Sequence, residues 1–269
     1  MRVNRFILVC LGVAAVGGCE NDKVSTTTPP ALAAVRYINA VTDTGSVDIA
    51  MIDQVEWSAN AKPLAFRAAS AYQPTEAKSR HIRVFPTSLN IGVTSQFMLD
   101  TMVSLTAGTR VTLLLTGSAR SKTLRFVTID DDVTPPAATQ IGVRLVNASA
   151  APVNVYLTTD TADALPGTAA FANISSLATS SYVSRAVGKV AVQATNVGSA
   201  VPTAKALGPN APPSAPGDVF PAAGVNSQYT RFSVYYFPRG VAGSPQNAVT
   251  TPSLIWFVDR NPCDPGITC

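Results

Sequence analysis

The hexapeptide Val35-Arg36-Tyr37-Ile38-Asn39-Ala40 returns as Val143-Arg144-Leu145-Val146-Asn147-Ala148. After a short polar gap, each copy is followed by a second alternating run, Val47-Asp48-Ile49-Ala50-Met51 and Val153-Asn154-Val155-Tyr156-Leu157. Alternation with a period of two is the signature of a strand with one face buried. Each half of the chain therefore opens with a strand, a turn begun by Asn-Ala and a second strand. A recurrence at about a hundred residues lies far outside the roughly 20–50-residue periods of solenoids and means two related domains.

Further segments recur in the same order. Tyr72 and Tyr182 each precede the inward positions of the next strand, Ile82-Val84 and Val190-Val192. Thr230-Arg231-Phe232-Ser233-Val234-Tyr235-Tyr236 matches Thr109 to Leu115 in residue type, and Ile255 to Asp259 answers Phe126 to Asp130. Only 13% of the chain is charged, and its 20 Pro and 17 Gly punctuate short runs rich in Val, Thr and Ser. That mixture predicts an all-β chain of sandwiches or barrels. Asp130-Asp131-Asp132 followed by Thr134-Pro135-Pro136 marks a boundary, giving domain 1 over 35–134 and domain 2 over 141–269. Residues 59–77 are compatible with a short helix or irregular strands, and 197–217 reads as a Pro-rich insert in the second copy.

The first nineteen residues have the form of an export signal. Arg2 and Arg5 precede an apolar run from Phe6 to Val16, too short to span a bilayer comfortably. Val16-Gly17-Gly18-Cys19 resembles the bacterial lipobox. That resemblance implies removal of 1–18 and lipidation of Cys19; an ordinary secretory signal is the alternative. Residues 19–34, with Thr26-Thr27-Thr28-Pro29-Pro30, read as a disordered tether. The expected location is the bacterial cell envelope, anchored by lipid on its periplasmic or surface face. Glu20 rather than Asp follows the cysteine, which favours the outer membrane. At the other end, Cys263 and Cys269 flank a Pro265-Gly266 turn and are expected to form a disulfide in an oxidising compartment, with two free thiols as the alternative.

The doubled segments resemble an envelope family catalogued as domain of unknown function 4397. Its domains open with an Arg-apolar-apolar-Asn-Ala/Ser strand, followed by a run such as Val-Asp-Ile or Val-Asn-Val-Tyr, a later Tyr and a closing acidic residue. Arg36 to Ala40 and Arg144 to Ser149 carry that opening here. The chain departs from the pattern in the Ala-rich centre of copy one and the Pro-rich insert of copy two. The resemblance implies two tandem immunoglobulin-like β-sandwiches, often exported and lipid-anchored, with no established activity.

Catalytic chemistry finds little to work with. A Ser-His-Asp or Cys-His site needs a histidine, and the single one, His81, lies between Arg80 and Arg83 on a strand where it is expected to face solvent. One imidazole makes no multi-His metal site, and no catalytic residue or cofactor is expected. Asp130, Asp131 and Asp132 form the one acidic cluster, a weak calcium candidate set against strand termination in a solvated linker. Tyr235, Phe237 and Trp256 read either as core and partly covered edge or as a sugar-stacking platform. Asn39 and Asn147 are expected to bond backbone within their own turns. Lys and Arg occur singly, which leaves no nucleic-acid footprint. The expected function is display of tandem modules for binding, adhesion or scaffolding, with an envelope protein or polysaccharide as partner. A carbohydrate-binding or enzyme-accessory module and a cryptic hydrolase are the alternatives.

Overall fold

The structure, a computed structural model, describes residues 28–53, 60–213 and 222–264. Among these residues the chain is all-β but for one short helix, α1 (Ile91–Thr94), and forms two immunoglobulin-like sandwiches. In the first, β1 (Leu32–Asn39), β4 (Gln73–Glu76), β7 (Arg110–Thr116) and β8 (Arg125–Asp130) make a sheet in the order β4-β1-β7-β8. Facing it are β2 (Val47–Met51), β3 (Ala61–Leu64), β5 (Ser79–Pro86) and β6 (Leu99–Ser104), ordered β3-β2-β5-β6.

The second sandwich repeats this strand for strand. Its first sheet, ordered β12-β9-β15-β16, comprises β9 (Gln140–Asn147), β12 (Val183–Ala186), β15 (Arg231–Phe237) and β16 (Ser253–Arg260). Its second, ordered β11-β10-β13-β14, comprises β10 (Val153–Thr158), β11 (Phe171–Ile174), β13 (Ala191–Asn196) and β14 (Pro202–Leu207). In both, the opening strand lies parallel to the penultimate one, with Ile38 beside Leu114 and Val146 beside Tyr235. Of the two readings left open for 59–77, strands prevail, as β3 and β4 flank a turn in which Arg67 is left-handed (φ 67°). The Pro-rich stretch 197–217 carries the edge strand β14, a position where Pro202 costs no ladder bond needed elsewhere.

The period of two explains where each side chain of the doubled hexapeptide goes. Val35 and Tyr37, with Val111, Leu113 and Leu115, fill the first sandwich; Val143 and Leu145, with Phe232 and Val234, fill the second. The intervening residues Ile38 and Ala40, and their counterparts Val146 and Ala148, face the other way. There they meet Leu114, Ile129, Tyr235 and Phe237 in a third apolar core between the two sandwiches. The opening strands are thus buried on both faces, and Ala31–Cys269 forms one compact unit. No helix among the described residues is long and apolar enough to cross a membrane.

Candidate functional site

The seam between the sandwiches holds two buried arginines, and each is answered by the other sandwich. Arg36 on β1 donates from Nε and Nη2 to Thr112 Oγ1 (3.0 and 2.8 Å), from Nη1 to the Val258 carbonyl (2.9 Å) and from Nη2 to Asp259 Oδ1 (2.8 Å). Arg144 on β9 repeats the pattern. Its Nε donates to Ser233 Oγ (2.7 Å), its Nη1 to the Asp130 carbonyl (2.8 Å) and its Nη2 to Asp131 Oδ1. The second carboxylate oxygens are also taken. Asp131 Oδ2 accepts from Tyr72 (2.7 Å) and Thr112 (2.6 Å), and Asp259 Oδ2 from Tyr182 (2.8 Å) and Ser233 (2.6 Å). The two sets correspond partner for partner.

Each tyrosine ring lies between two guanidiniums. Arg36 and Arg110 sit 4.5 and 4.9 Å from the Tyr72 centroid, and Arg144 and Arg231 4.7 and 4.4 Å from that of Tyr182. Gly142 makes room for this on β9, since a Cβ there would lie 3.0 Å from Arg231 Cγ. Burial pushes both phenols well above their usual range, so they stay protonated and donate. Burial opposes the Arg36 charge, yet Asp259 and its neighbours more than offset that and hold the guanidinium above its ordinary range. The Asp131 carboxyl is pushed up by burial and by Asp259, against the pull of Arg36 and Arg144. Two cations and two carboxylates with their bonds filled are what a water-free seam requires. Such a cluster holds the halves together.

The reading of 130–132 as a solvated strand end holds for Asp130, which closes β8, and for exposed Asp132, but not for Asp131. Asp131 is buried in the seam. Asp130 is exposed, while Asp132 accepts from the Thr134 amide (2.8 Å) and Arg231 (2.6 Å), so the three carboxylates turn to different surroundings. The counterpart of Asp259 is Asp131, one residue beyond the Asp130 that sequence matching pairs with it. A register shift between Arg231 and Phe232, opposite Asp259, accounts for the slip.

Other singled-out residues are placed as follows. Asn39 Nδ2 donates to the Leu64 carbonyl (3.1 Å) and its Oδ1 accepts from the Val41 amide (3.0 Å). Asn147 Nδ2 reaches the carbonyls of Ala151, Ile174 and Ser175 (2.8, 2.9 and 3.1 Å), and its Oδ1 accepts from the Ser149 amide (2.9 Å). Both asparagines bond backbone of their own sandwich, in equivalent places. Tyr235 and Phe237 stack at 5.8 Å inside the third core, and Trp256 packs edge-on against Phe232 at 5.5 Å. They form no exposed row. His81 is partly exposed and touches Asp100, which also accepts from Arg83 (2.8 Å). Cys263 follows β16; Cys19 and Cys269 lie outside the described residues.

Beyond Ala40 and Ala148, at the opposite end of β1 from Leu32, the seam opens into a cleft of about 730 Å3. It is the place where the two-fold likeness fails. Arg67 and Leu177 are equivalents: both are left-handed, and their amides bond the carbonyls of Asn39 (2.7 Å) and Asn147 (2.8 Å). The Arg67 guanidinium crosses to the carbonyls of Pro238 (2.6 Å) and Thr251 (2.7 Å) and closes the seam on its side. Leu177 has no such reach, and the cleft lies beside it. The long β15–β16 loop grips the first sandwich, Val241 N–H and Ser244 Oγ donating to the Thr42 carbonyl (both 3.1 Å) and Gln246 Nε2 to that of Thr44 (2.8 Å). Sequence reasoning missed this cleft because its walls come from loops of both halves.

Residues 33–158 match the family model described as Domain of unknown function (DUF4397), a span that covers the first sandwich and the first two strands of the second. A search of curated proteins returned no match. Among solved structures, one described as alpha-glucan recognition by family 41 carbohydrate-binding modules from streptococcal virulence factors is similar over 82% of this chain and 95% of that one. The two share 11% identity with a TM-score of 0.25, a likeness too slight to bear on what this chain binds.

Proposed function

We propose that the chain, whose residues 33–158 match the DUF4397 family model, is a non-catalytic binding module displayed from the cell envelope by a lipid on Cys19. Its ligand site is the cleft at the end of the seam. One observation carries this reading: the two sandwiches are cemented by paired charges and a shared core, yet leave an asymmetric opening of about 730 Å3 between them. That volume falls within the roughly 300–1,000 Å3 usual for ligand sites. The rigid seam supports preorganisation, since walls from both halves are already in place before a ligand arrives.

Plugging the cleft tests it. Ala150 is exposed and lines the opening, so Ala150→Trp should leave the melting temperature within about 2 °C, as surface changes do. On an array of purified bacterial and plant polysaccharides, the native protein should retain at least one polymer that Ala150→Trp binds at least about tenfold more weakly, a loss of about 1.4 kcal/mol. Equal binding by the two proteins, or no binding by either, would overturn the assignment.

A further inference from the structure

Most arginines among the described residues are occupied. Of the twelve arginines from Arg36 onward, nine make a hydrogen bond or ion pair with the protein. Arg125, Arg185 and Arg239 make none among the described residues. Two of these three, Arg125 from the first sandwich and Arg239 from the second, line the same cleft.

The rest of the lining accentuates their charge. No Asp or Glu lines the cleft. The nearest acidic residue in sequence, Asp43, turns its carboxylate into the β7–β8 loop, where it accepts from Ser118 Oγ (2.6 Å) and the amides of Ala119 and Arg120 (3.0 and 3.1 Å). Thr42, Thr116 and Thr250 also line the cleft, and their hydroxyls have no partner within the described chain. Thr116 is buried at the wall of the cleft, only 7% exposed. Leu177 and Pro238 add apolar wall.

We propose that the cleft binds an acidic sugar within a polysaccharide, with Arg125 and Arg239 on its carboxylate, the threonine hydroxyls on its hydroxyls and Leu177 and Pro238 against a ring face. This rests on the cleft being the ligand site. A guanidinium matches a carboxylate in a planar, two-bond geometry, and two guanidiniums without a competing acid select an anion. Hydroxyls that both donate and accept suit a sugar. Threonine and aliphatic walls set the site apart from a site for a bare inorganic anion, for which they would supply little.

Affinity electrophoresis of the full mature protein through gels containing polygalacturonate, dextran sulfate or neutral dextran tests the assignment. Polygalacturonate should retard the native protein, dextran should not, and the retardation should weaken as salt rises. Arg125→Gln and Arg239→Gln should each weaken the polygalacturonate interaction about three- to tenfold, and the double variant should abolish it. Arg185→Gln, which removes the same charge elsewhere, should change nothing. The inference is overturned if dextran sulfate alone retards the protein, if Arg185→Gln weakens retardation as much as the cleft variants, or if the double variant is unaffected. Retardation by dextran that Ala150→Trp removes and the arginine variants do not would also overturn it, while leaving the cleft itself as a ligand site. Polymer binding indifferent to Ala150→Trp would remove both.

Discussion

Arg36 and Asp259 stand 223 positions apart and meet at 2.8 Å inside the seam. Neither has a substitute partner in water, because both side chains are almost fully buried. Truncating one member of such a pair strands the other, which costs about 3–5 kcal/mol. Arg36→Met and Asp259→Leu should each lower the unfolding free energy by that order in urea titrations. The double variant should cost clearly less than the sum. Strict additivity would show that the pair does not act as a unit.

The two asparagines differ in how much backbone they hold. Asn147 Nδ2 serves three carbonyls and Asn39 Nδ2 one. Asn147→Ala should therefore cost at least about 2 kcal/mol and Asn39→Ala closer to 1. Denaturant midpoints at constant slope would measure the difference. Equal losses would mean that the shared Asx-type turn, and not the extra carbonyls, sets the energy.

Asp43 gives the protein a pH dependence of known sign. Burial alone would raise its carboxyl, but bonds from Ser118, Ala119 and Arg120 outweigh burial and hold it below the usual carboxylate range. A depressed pKa stabilises the folded state above the unfolded value of about 3.9, and that contribution is lost as pH falls through the lower folded value. Asp43→Asn should thus melt below the native protein at pH 7, and the gap should narrow once the pH drops under about 4. A gap unchanged at acid pH would refute the assignment.

Lipid anchoring is tested by fractionation. In a bacterial host, Cys19→Ala should move the protein from the membrane to the soluble fraction, since several acyl chains hold far more firmly than one. A variant that stays with the membrane would remove the anchor.

The proposed Cys263–Cys269 disulfide closes so short a loop that it adds about 2–3 kcal/mol at most. Mass analysis after alkylation should count no free thiol at either position in exported protein, and the Cys263→Ser/Cys269→Ser variant should still fold. Labelling of both cysteines without reductant would contradict the staple.

Much of the fold was legible because both sandwiches advertise the same strands in the same order. Val35, Tyr37, Val143 and Leu145 alternate as inward residues must, and the Asn-Ala turns fell where the doubling put them. The seam was not legible, for a physical reason. Alternation tells which residues share a face but not what that face meets, so nothing in Arg36 or Ile38 shows that another sheet covers them. Tyr72 and Tyr182 were found as equivalents, yet their roles depend on carboxylates from β-strand ends that a one-residue register shift disguises. Arg125 and Arg239 carry no local signal at all, since their significance lies in having no partner.

The reciprocal exchange of Arg36 for Asp259 and Arg144 for Asp131 is the pattern of an isologous homodimer contained in one polypeptide. In a dimer of separate chains, dilution would pull such halves apart. Here residues 131–139 join them, and a short link of that kind corresponds to an effective concentration on the order of millimolar or more. The melting temperature should therefore be indifferent to protein concentration over several decades. A molecule thinly scattered over a cell surface would keep both walls of its cleft together at any density.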